Sequence, residues 1–365
     1  MATATLSIGF QNRTRCEIII EDGILHRIPQ RFFSDASSIF VITDDVVSKL
    51  YARKLQARLS RIASTHLVEF PHGEKSKNLE TASEVSSKLS KLGADRKSVV
   101  VALGGGVVGD LSGFVASIFK RGVRFVQVPT TLLAQVDSSI GGKTGVDTNW
   151  GKNQLGTFYQ PSAVIIDPTT LDTLPQKELI NGLAEIIKSA IISDRKMFEV
   201  LERTDLHAVQ NLKQFIANTC KIKAGVVEKD EKENNFRSIL NYGHTIGHAI
   251  EASANFSMSH GEAVILGMSA EGWIAQELGI FKEYERQEEL LKTITLPTSA
   301  RLDSKKILAF AKLDKKNVKG TIRMSLPVRI GRMAVTKDGR FTIPVRSDLF
   351  LSSIAQLRMW KSGFV

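Results

Sequence analysis

The chain has 365 residues, 42% hydrophobic and 24% charged, which is long for a single core and excludes disordered and fibrous classes. Two cysteines, Cys16 and Cys220, exclude a disulfide framework and a thiolate metal site and point to a reducing compartment. The net charge of +11 resides in Arg301–Val365, with 15 Lys+Arg against 4 Asp+Glu; no zinc-finger, homeodomain or RNP-type motif accompanies it, so a nucleic-acid partner is not expected.

Met1 to Phe10 lacks the basic and long apolar regions of a secretory leader. The most apolar stretch, Ser98–Phe119, is interrupted by glycines and Asp110, so no membrane span is expected and the cytoplasm is the expected compartment. Short β-branched runs at Cys16–Ile20, Ser38–Thr43, His66–Phe70, Ser98–Leu103, Phe125–Val128 and Ala163–Asp167 predict strands. Between them, Val46–Ile62 and Asn78–Leu92 space apolar residues three and four apart, as helices do. That alternation implies βαβ units and a mainly parallel sheet.

After Pro175 the pattern changes. Lys177 to about Leu278 is proline-free and helix-favouring, with breaks near Thr204–Asp205 and Asn234–Asn235. Further helices are predicted at Glu283–Thr293 and Ser304–Leu313, a hairpin from Thr321–Pro327 and Gly331–Val335, and a closing helix at Asp348–Lys361. The expected architecture is an α/β, Rossmann-like parallel-sheet domain over residues 1–175, followed by a mostly helical domain over 176–365, with the hinge near 168–180.

Gly104-Gly105-Gly106-Val107-Val108-Gly109 follows a predicted strand and leads into a helix expected to open at Asp110. Glycines there would let the backbone approach a pyrophosphate at a helix N-terminus, although no acidic residue ends the next strand, at Val128-Pro129-Thr130-Thr131. Two further glycine loops, Gly141-Gly142-Lys143-Thr144 and Gly151-Lys152-Asn153, place lysines suited to phosphate or carboxylate. No glycine stands six residues before Lys143, where a P-loop needs one, so a nucleotide triphosphatase is not expected.

Three of the seven histidines fall close together. His244 and His248 are spaced i, i+4 on one helical face, and His260 opens another helical run. Imidazoles with one carboxylate make a catalytic zinc set, the carboxylate candidates being Glu185, Glu251 and Glu262. HExxH is absent, which argues against a zincin protease. A polar run of Lys223, Asp230, Glu233, Arg237 and Asn241 leads into the His244 helix; charge alternation alone reads as a solvated face, and adjacency to the histidines favours binding.

Several long blocks together resemble the 3-dehydroquinate synthase family. They are Leu103–Gly122, Val128–Gln160, Asn181–Ser189, Asp230–Glu251, His260–Gly267 and Asp314–Lys316, and they run in order over most of the chain. The resemblance implies a two-domain, homodimeric enzyme of the shikimate pathway binding NAD and zinc or cobalt in its domain cleft. Its substrate would be the sugar phosphate 3-deoxy-D-arabino-heptulosonate 7-phosphate and its products 3-dehydroquinate and phosphate. It further implies Glu185, His244 and His260 as metal ligands, leaving His248 as a proton-transfer or phosphate-side group, with Glu233 as another proton acceptor.

Implied NAD contacts are Glu74, Lys77, Gly105, Gly106, Val107, Gly109, Asp110, Thr130, Thr131, Lys152 and Thr173. Implied substrate contacts are Asp137, Lys143, Asn153, Lys188, Lys223, Arg237, Asn241 and one of Lys315 or Lys316, with Arg121 reaching a neighbouring subunit's phosphate pocket. Val46 departs from the polar residue the family often places there. The implied chemistry is redox-neutral overall: hydride transfer to NAD makes a ketone, the acidified neighbouring C–H lets phosphate leave, and the hydride returns before ring opening and aldol closure. The rivals are a metal- and NAD-dependent polyol dehydrogenase, which would accumulate NADH, and another sugar phosphate cyclase.

Overall fold

The computed structural model describes residues 3–10, 15–255, 257–296, 302–312 and 321–362, excepting the side chains of 358–362. The chain divides into two compact units, Met1–Leu174 and Pro175–Val365.

The first unit is built on one sheet whose strands, among the described residues, run in the order β1-β2-β9-β6-β5-β3-β4. In chain order these are β1 (Ala4–Gly9), β2 (Arg15–Ile20), β3 (Ser38–Asp44), β4 (Ser64–Phe70), β5 (Val99–Gly104), β6 (Arg124–Pro129) and, after the hairpin β7 (Lys143–Thr148) and β8 (Gly151–Phe158), β9 (Ala163–Ile166). All pairs are parallel except β1 with β2. The central strands bury both faces. Phe40, Ile42, Val100 and Ala102 join one hydrophobic cluster, while Ile39, Val41, Val99 and Val101 join the other. Burial on both sides explains why the sequence shows continuous apolar runs rather than alternation.

The helices are α1 (Asp45–Val47), continuing through a π-turn at Ser48–Ala52 into α2 (Arg53–Leu59), then α3 (Leu79–Lys91) and α4 (Gly106–Ile118). Asp44 caps α1 by accepting from the Val46 and Val47 N–H groups, and Asn78 caps α3 by accepting from Thr81 N–H. From β3 the chain moves one way across the sheet to β4, and from β5 the other way to β6 and β9. The crevice between the carboxyl ends of β3 and β5 is therefore the topological switch point, where open α/β sheets bind ligands.

Three expectations change here. The antiparallel edge strand β1 was not anticipated. The glycine segments at Gly141–Thr144 and Gly151–Asn153 are not separate loops but belong to the β7–β8 hairpin, in which Gly145 pairs with Gly156; glycine carries little strand propensity, which hid both strands. The helix after the glycine run opens at Gly106 rather than Asp110, so Gly106 to Gly109 form its first turn.

The second unit contains α5 (Gln176–Ser193), α6 (Arg195–Leu201), α7 (Val209–Lys229), α8 (His244–Ser253), α9 (His260–Glu277), α10 (Tyr284–Lys292), α11 (Ser304–Lys312) and α12 (Ser347–Ser362). Breaks not expected from sequence fall at Asp194, whose carboxylate caps α6 through Met197 N–H, and between α8 and α9. The C-terminal strands pair differently from expectation. Pro327–Arg329 (β11) and Arg332–Met333 (β12) form the hairpin, while Ile322–Met324 (β10) pairs with the more distant Ile343–Val345 (β13). Among the described residues no helix is long and apolar enough to cross a membrane.

Candidate active site

In the first unit the N-terminus of α4 lies at the switch point. Gly105 occupies its N-cap without a side-chain hydrogen bond, so the first-turn N–H groups of Gly106, Val107 and Val108 have no intrahelical acceptor. Such a terminus holds anionic oxygen well. Gly109 faces the Gln127 side chain of β6, whose Oε1 would stand 2.6 Å from a Cβ added there. Thr130 N–H donates to the Gly104 carbonyl at 2.9 Å, fixing the Thr130–Thr131 segment beside the glycine turn.

Lys77 is the electrostatic centre of this region. Its buried ammonium lies 3.1 Å from Glu74 Oε1, 3.3 Å from Asp110 Oδ2 and 3.7 Å from Asp147 Oδ1. Burial works against the Lys77 charge, but the three carboxylates outweigh it and raise its pKa. One cation cannot satisfy three anions. Burial, opposed by Lys77, pushes Asp110 up to about 6, and Asp147 is raised as well. Lys152 Nζ stands 3.7 Å from Glu74 Oε1, and Asp147 Oδ1 accepts from the Asn153 N–H at 2.7 Å. Glu74, Lys77, Asp110, Lys152 and Asn153 thus share one charged network. Asp147 ties it together, and sequence reasoning did not single it out.

Thr173 sits in the 3-10 turn Pro168–Thr173 beside the Tyr51 hydroxyl, which also donates to the Thr170 carbonyl at 3.1 Å. Asp137 lies in a π-turn at Ala134–Ser138, and exposed Lys143 opens β7. Arg121 is exposed after α4 with φ 69°, and Lys120 before it has φ 52°. Two successive left-handed non-glycine residues store local strain at that corner.

In the second unit, α5, α8 and α9 bring three candidate ligands together. Single donor atoms of Glu185, His244 and His260 all lie within 4.8 Å of one another. Glu185 Oε1 is 3.4 Å from His244 Nε2 and 3.7 Å from His260 Nε2. Both Glu185 oxygens are sealed from solvent and accept no hydrogen bond of ordinary geometry among the described residues, while Lys188 Nζ closes on Oε2 as an ion pair. A buried carboxylate short of donors and facing two imidazole nitrogens suits a divalent cation.

The outer ring nitrogens are oriented as ligating histidines require. His244 Nδ1 lies 3.1 Å from the Tyr242 carbonyl and His260 Nδ1 lies 3.5 Å from Glu251 Oε2. The three carboxylate candidates therefore separate: Glu185 faces the imidazoles, Glu251 backs His260, and Glu262 closes a capping box with Ser259 at the start of α9. His248 stands beside the cluster, its ring centroid 5.1 Å from that of His244 and 5.8 Å from that of His260. The i, i+4 pair suggested by spacing is a ring contact, and the donor cluster pairs His244 with His260 instead.

The polar run before α8 is not a solvated helix face. It folds as a loop and a 3-10 turn, Phe236–Asn241, with Asp230 accepting from the N–H groups of Asn234, Asn235 and Arg237. Arg237 is buried, with Nη1 donating to the Glu231 carbonyl. Asn241 Nδ2 donates to Glu233 Oε1 at 2.8 Å, and Lys223 is buried on α7. Lys315 and Lys316 lie outside the described residues.

Residues 67–181 match the family 3-dehydroquinate synthase N-terminal, and residues 182–317 match 3-dehydroquinate synthase C-terminal. A 3-dehydroquinate synthase of Thermodesulfovibrio yellowstonii is 44% identical over 331 residues, covering 87% of this chain and 92% of its own. One of Prochlorococcus marinus (strain MIT 9215) is 41% identical over 350 residues, covering 92% and 95%. Among solved structures, a 2-deoxy-scyllo-inosose synthase complexed with carbaglucose-6-phosphate, NAD+ and Co2+ superposes with a TM-score of 0.87 at 27% identity, covering 96% of this chain and 99% of its own. A probable glycerol dehydrogenase from Sinorhizobium meliloti, at 15% identity and a TM-score of 0.64 over 98% of this chain and 99% of its own, shares the fold alone. Both halves of the sequence and the relatives that span most of it agree: the chain belongs to the 3-dehydroquinate synthase family.

Proposed function

We propose that the chain converts 3-deoxy-D-arabino-heptulosonate 7-phosphate into 3-dehydroquinate and inorganic phosphate, with NAD and a divalent zinc or cobalt ion as cofactors. The observation that carries this reading is the buried Glu185–His244–His260 cluster, whose carboxylate pairs with Lys188 but accepts no hydrogen bond of ordinary geometry among the described residues. When bound, NAD supplies a reversible hydride acceptor and the ion a Lewis acid, which together make a substrate C–H acidic enough for phosphate to leave.

Glu185, His244 and His260 hold the ion. The open first turn of α4, with Thr130, Thr131, Thr173 and the Glu74–Lys77–Asp110–Lys152 network, holds the dinucleotide. Lys143, Asn153, Lys188, Lys223, Arg237 and Asn241, with Asp137 and one of Lys315 or Lys316, bind the substrate's anionic and hydroxyl groups. Lysine and arginine charge fixed in advance neutralises phosphate without reorganisation at the moment of reaction. His248, beside both imidazole ligands, and Glu233, held by Asn241, are the groups of this chain placed to move a proton.

Arg121 reaches the phosphate pocket of a second copy, so the working form is a homodimer. Ile118, at the end of α4 just before Arg121, and Leu155 and Phe158 on β8, which pairs with the strand packed on α4, leave 50%, 43% and 48% of their surface exposed, and this supports the dimer reading. The cytoplasm fits a reaction on a phosphorylated metabolite by a chain whose two cysteines are buried and not joined to each other.

Incubation with NAD+, a divalent metal and the heptulosonate phosphate is expected to release phosphate and 3-dehydroquinate in equal amounts without accumulating NADH. Accumulating NADH would assign a polyol dehydrogenase instead, and a different carbocycle another cyclase substrate. His260→Ala is expected to abolish metal content and activity together while NAD binding survives; wild-type metal content in that variant would remove His260 from the ligand set.

A further inference from the structure

The helix that carries His244 begins on that residue. Gly243, its N-cap, has φ 76° and no side chain to offer, so the first N–H groups of α8 need an acceptor from elsewhere. Glu271, fully buried on α9, supplies it. Its Oε2 accepts from Gly243 N–H at 2.8 Å and its Oε1 from Ile246 N–H at 2.9 Å. One carboxylate thus brackets His244 from the residue before it to the second residue after it.

The same short segment fixes the imidazole. The Tyr242 carbonyl lies 3.1 Å from His244 Nδ1, which leaves Nε2 to face Glu185. Tyr242 is itself immobilised, its hydroxyl 2.6 Å from Gln287 Oε1 and 3.0 Å from the Met268 carbonyl. Backbone contact between α8 and α9 is direct, because a Cβ on Gly267 would stand 1.9 Å from the Gly243 carbonyl oxygen. Charge matters as well as geometry. A helix N-terminus carries partial positive charge and repels a cation placed near it, and a buried carboxylate on those N–H groups offsets that repulsion.

We propose that Glu271 is a positioning residue for the metal site. It clamps the first turn of α8 so that His244 Nε2 is held toward the ion, and its charge cancels the helix's positive end beside that ion. The inference rests on the ligand assignment proposed above. Second-sphere contacts of this kind alter metal affinity about 10–100-fold when removed.

The test uses full-length protein stripped of metal and reloaded with Co2+. Affinity is read by competition with a chromophoric chelator, and ligand geometry by the visible cobalt spectrum. Glu271→Gln is expected to raise the cobalt dissociation constant about 10–100-fold and change the spectrum, with NAD affinity unaltered. Glu271→Asp, which keeps the charge, is expected to recover part of the loss; it carries the test alone if the glutamine variant does not fold. Wild-type affinity and spectrum in the folded variants would overturn the positioning role alone. A wild-type protein that takes up no cobalt would overturn the ligand assignment and this inference with it.

Discussion

His260 and Glu185 show how the cluster holds its charges before any ion arrives. Burial would strip the proton from His260, but Glu185 and Glu251 beside it outweigh burial and hold its pKa at about 9. Burial would likewise raise Glu185, but Lys188 and His260 overcome it and hold the carboxyl at about 2. His244, desolvated and facing Lys188, is driven well below its ordinary value and stays neutral. An ion bound through His260, as proposed, must therefore displace its proton near neutral pH. About one proton is expected to be released per metal bound, and affinity is expected to rise about tenfold per pH unit until it levels near 9. Calorimetry in buffers of different ionisation heat checks this, and metal uptake without proton release would contradict it. The raised value of His260 stabilises metal-free protein fully below 6.5, and that contribution is lost as pH rises through about 9. Gly267 makes a prediction of a steric kind. Gly267→Ala would force a methyl group into the Gly243 carbonyl, 1.9 Å away, so α8 and α9 must part. A loss of about 3 kcal/mol or more in denaturant unfolding, with weakened metal binding, is expected.

At the scale of elements, one lysine joins three of them. Lys77 follows the 3-10 turn Glu74–Ser76, pairs with Asp110 in α4 and with Asp147 in β7, and accepts the Asp147 N–H at its own carbonyl at 2.7 Å. Lys77→Met would remove the central cation from among the three carboxylates and leave Lys152, out beside Glu74, to face them. Because each keeps some contact with water, the expected cost is about 2–3 kcal/mol, short of the figure for a fully buried pair. Asp110 sets the pH dependence. Its folded pKa, about 6, lies above the unfolded value of 3.8, so ionising it costs stability as pH rises through that window. The lysine offsets this cost, so the destabilisation of Lys77→Met is expected to be small below 3.8 and to grow as pH climbs through and beyond 6. A penalty independent of pH would show that the network is not electrostatic. The family resemblance had implied Glu74, Lys77 and Asp110 as dinucleotide contacts, not as partners of one another. That they meet, and that Asp147 joins them, depends on β7 leaving the main sheet to pair with β8, a hairpin disguised by its glycines.

At the scale of the whole molecule, the dimer reading makes a direct prediction. Phe158→Asp, on the exposed side of the β7–β8 hairpin, is expected to shift the protein from dimer to monomer in sedimentation velocity. Activity should fall with it, because Arg121 no longer reaches a second copy, while metal content and NAD affinity are retained. A monomeric, active wild type would overturn that reading. The α/β order of the first unit and the helical character of the second were legible in the sequence, because hydrophobic period and glycine punctuation are local properties that a linear chain displays. The blocks around Gly104, Glu185, His244 and His260 also placed the chain in its family. What no local pattern could decide was which side chains meet. Glu185, Glu251 and Glu262 are equivalent as residues, and only the packing of α5 against α8 and α9 turns one toward the imidazoles, sets another behind His260 and commits the third to a helix cap. The same holds for Glu271 under α8 and for β10 finding β13 rather than its nearer neighbour. Periodicity is written along the chain, whereas contact between distant segments is settled by the closure of the core, and at that level the tertiary structure decided the site.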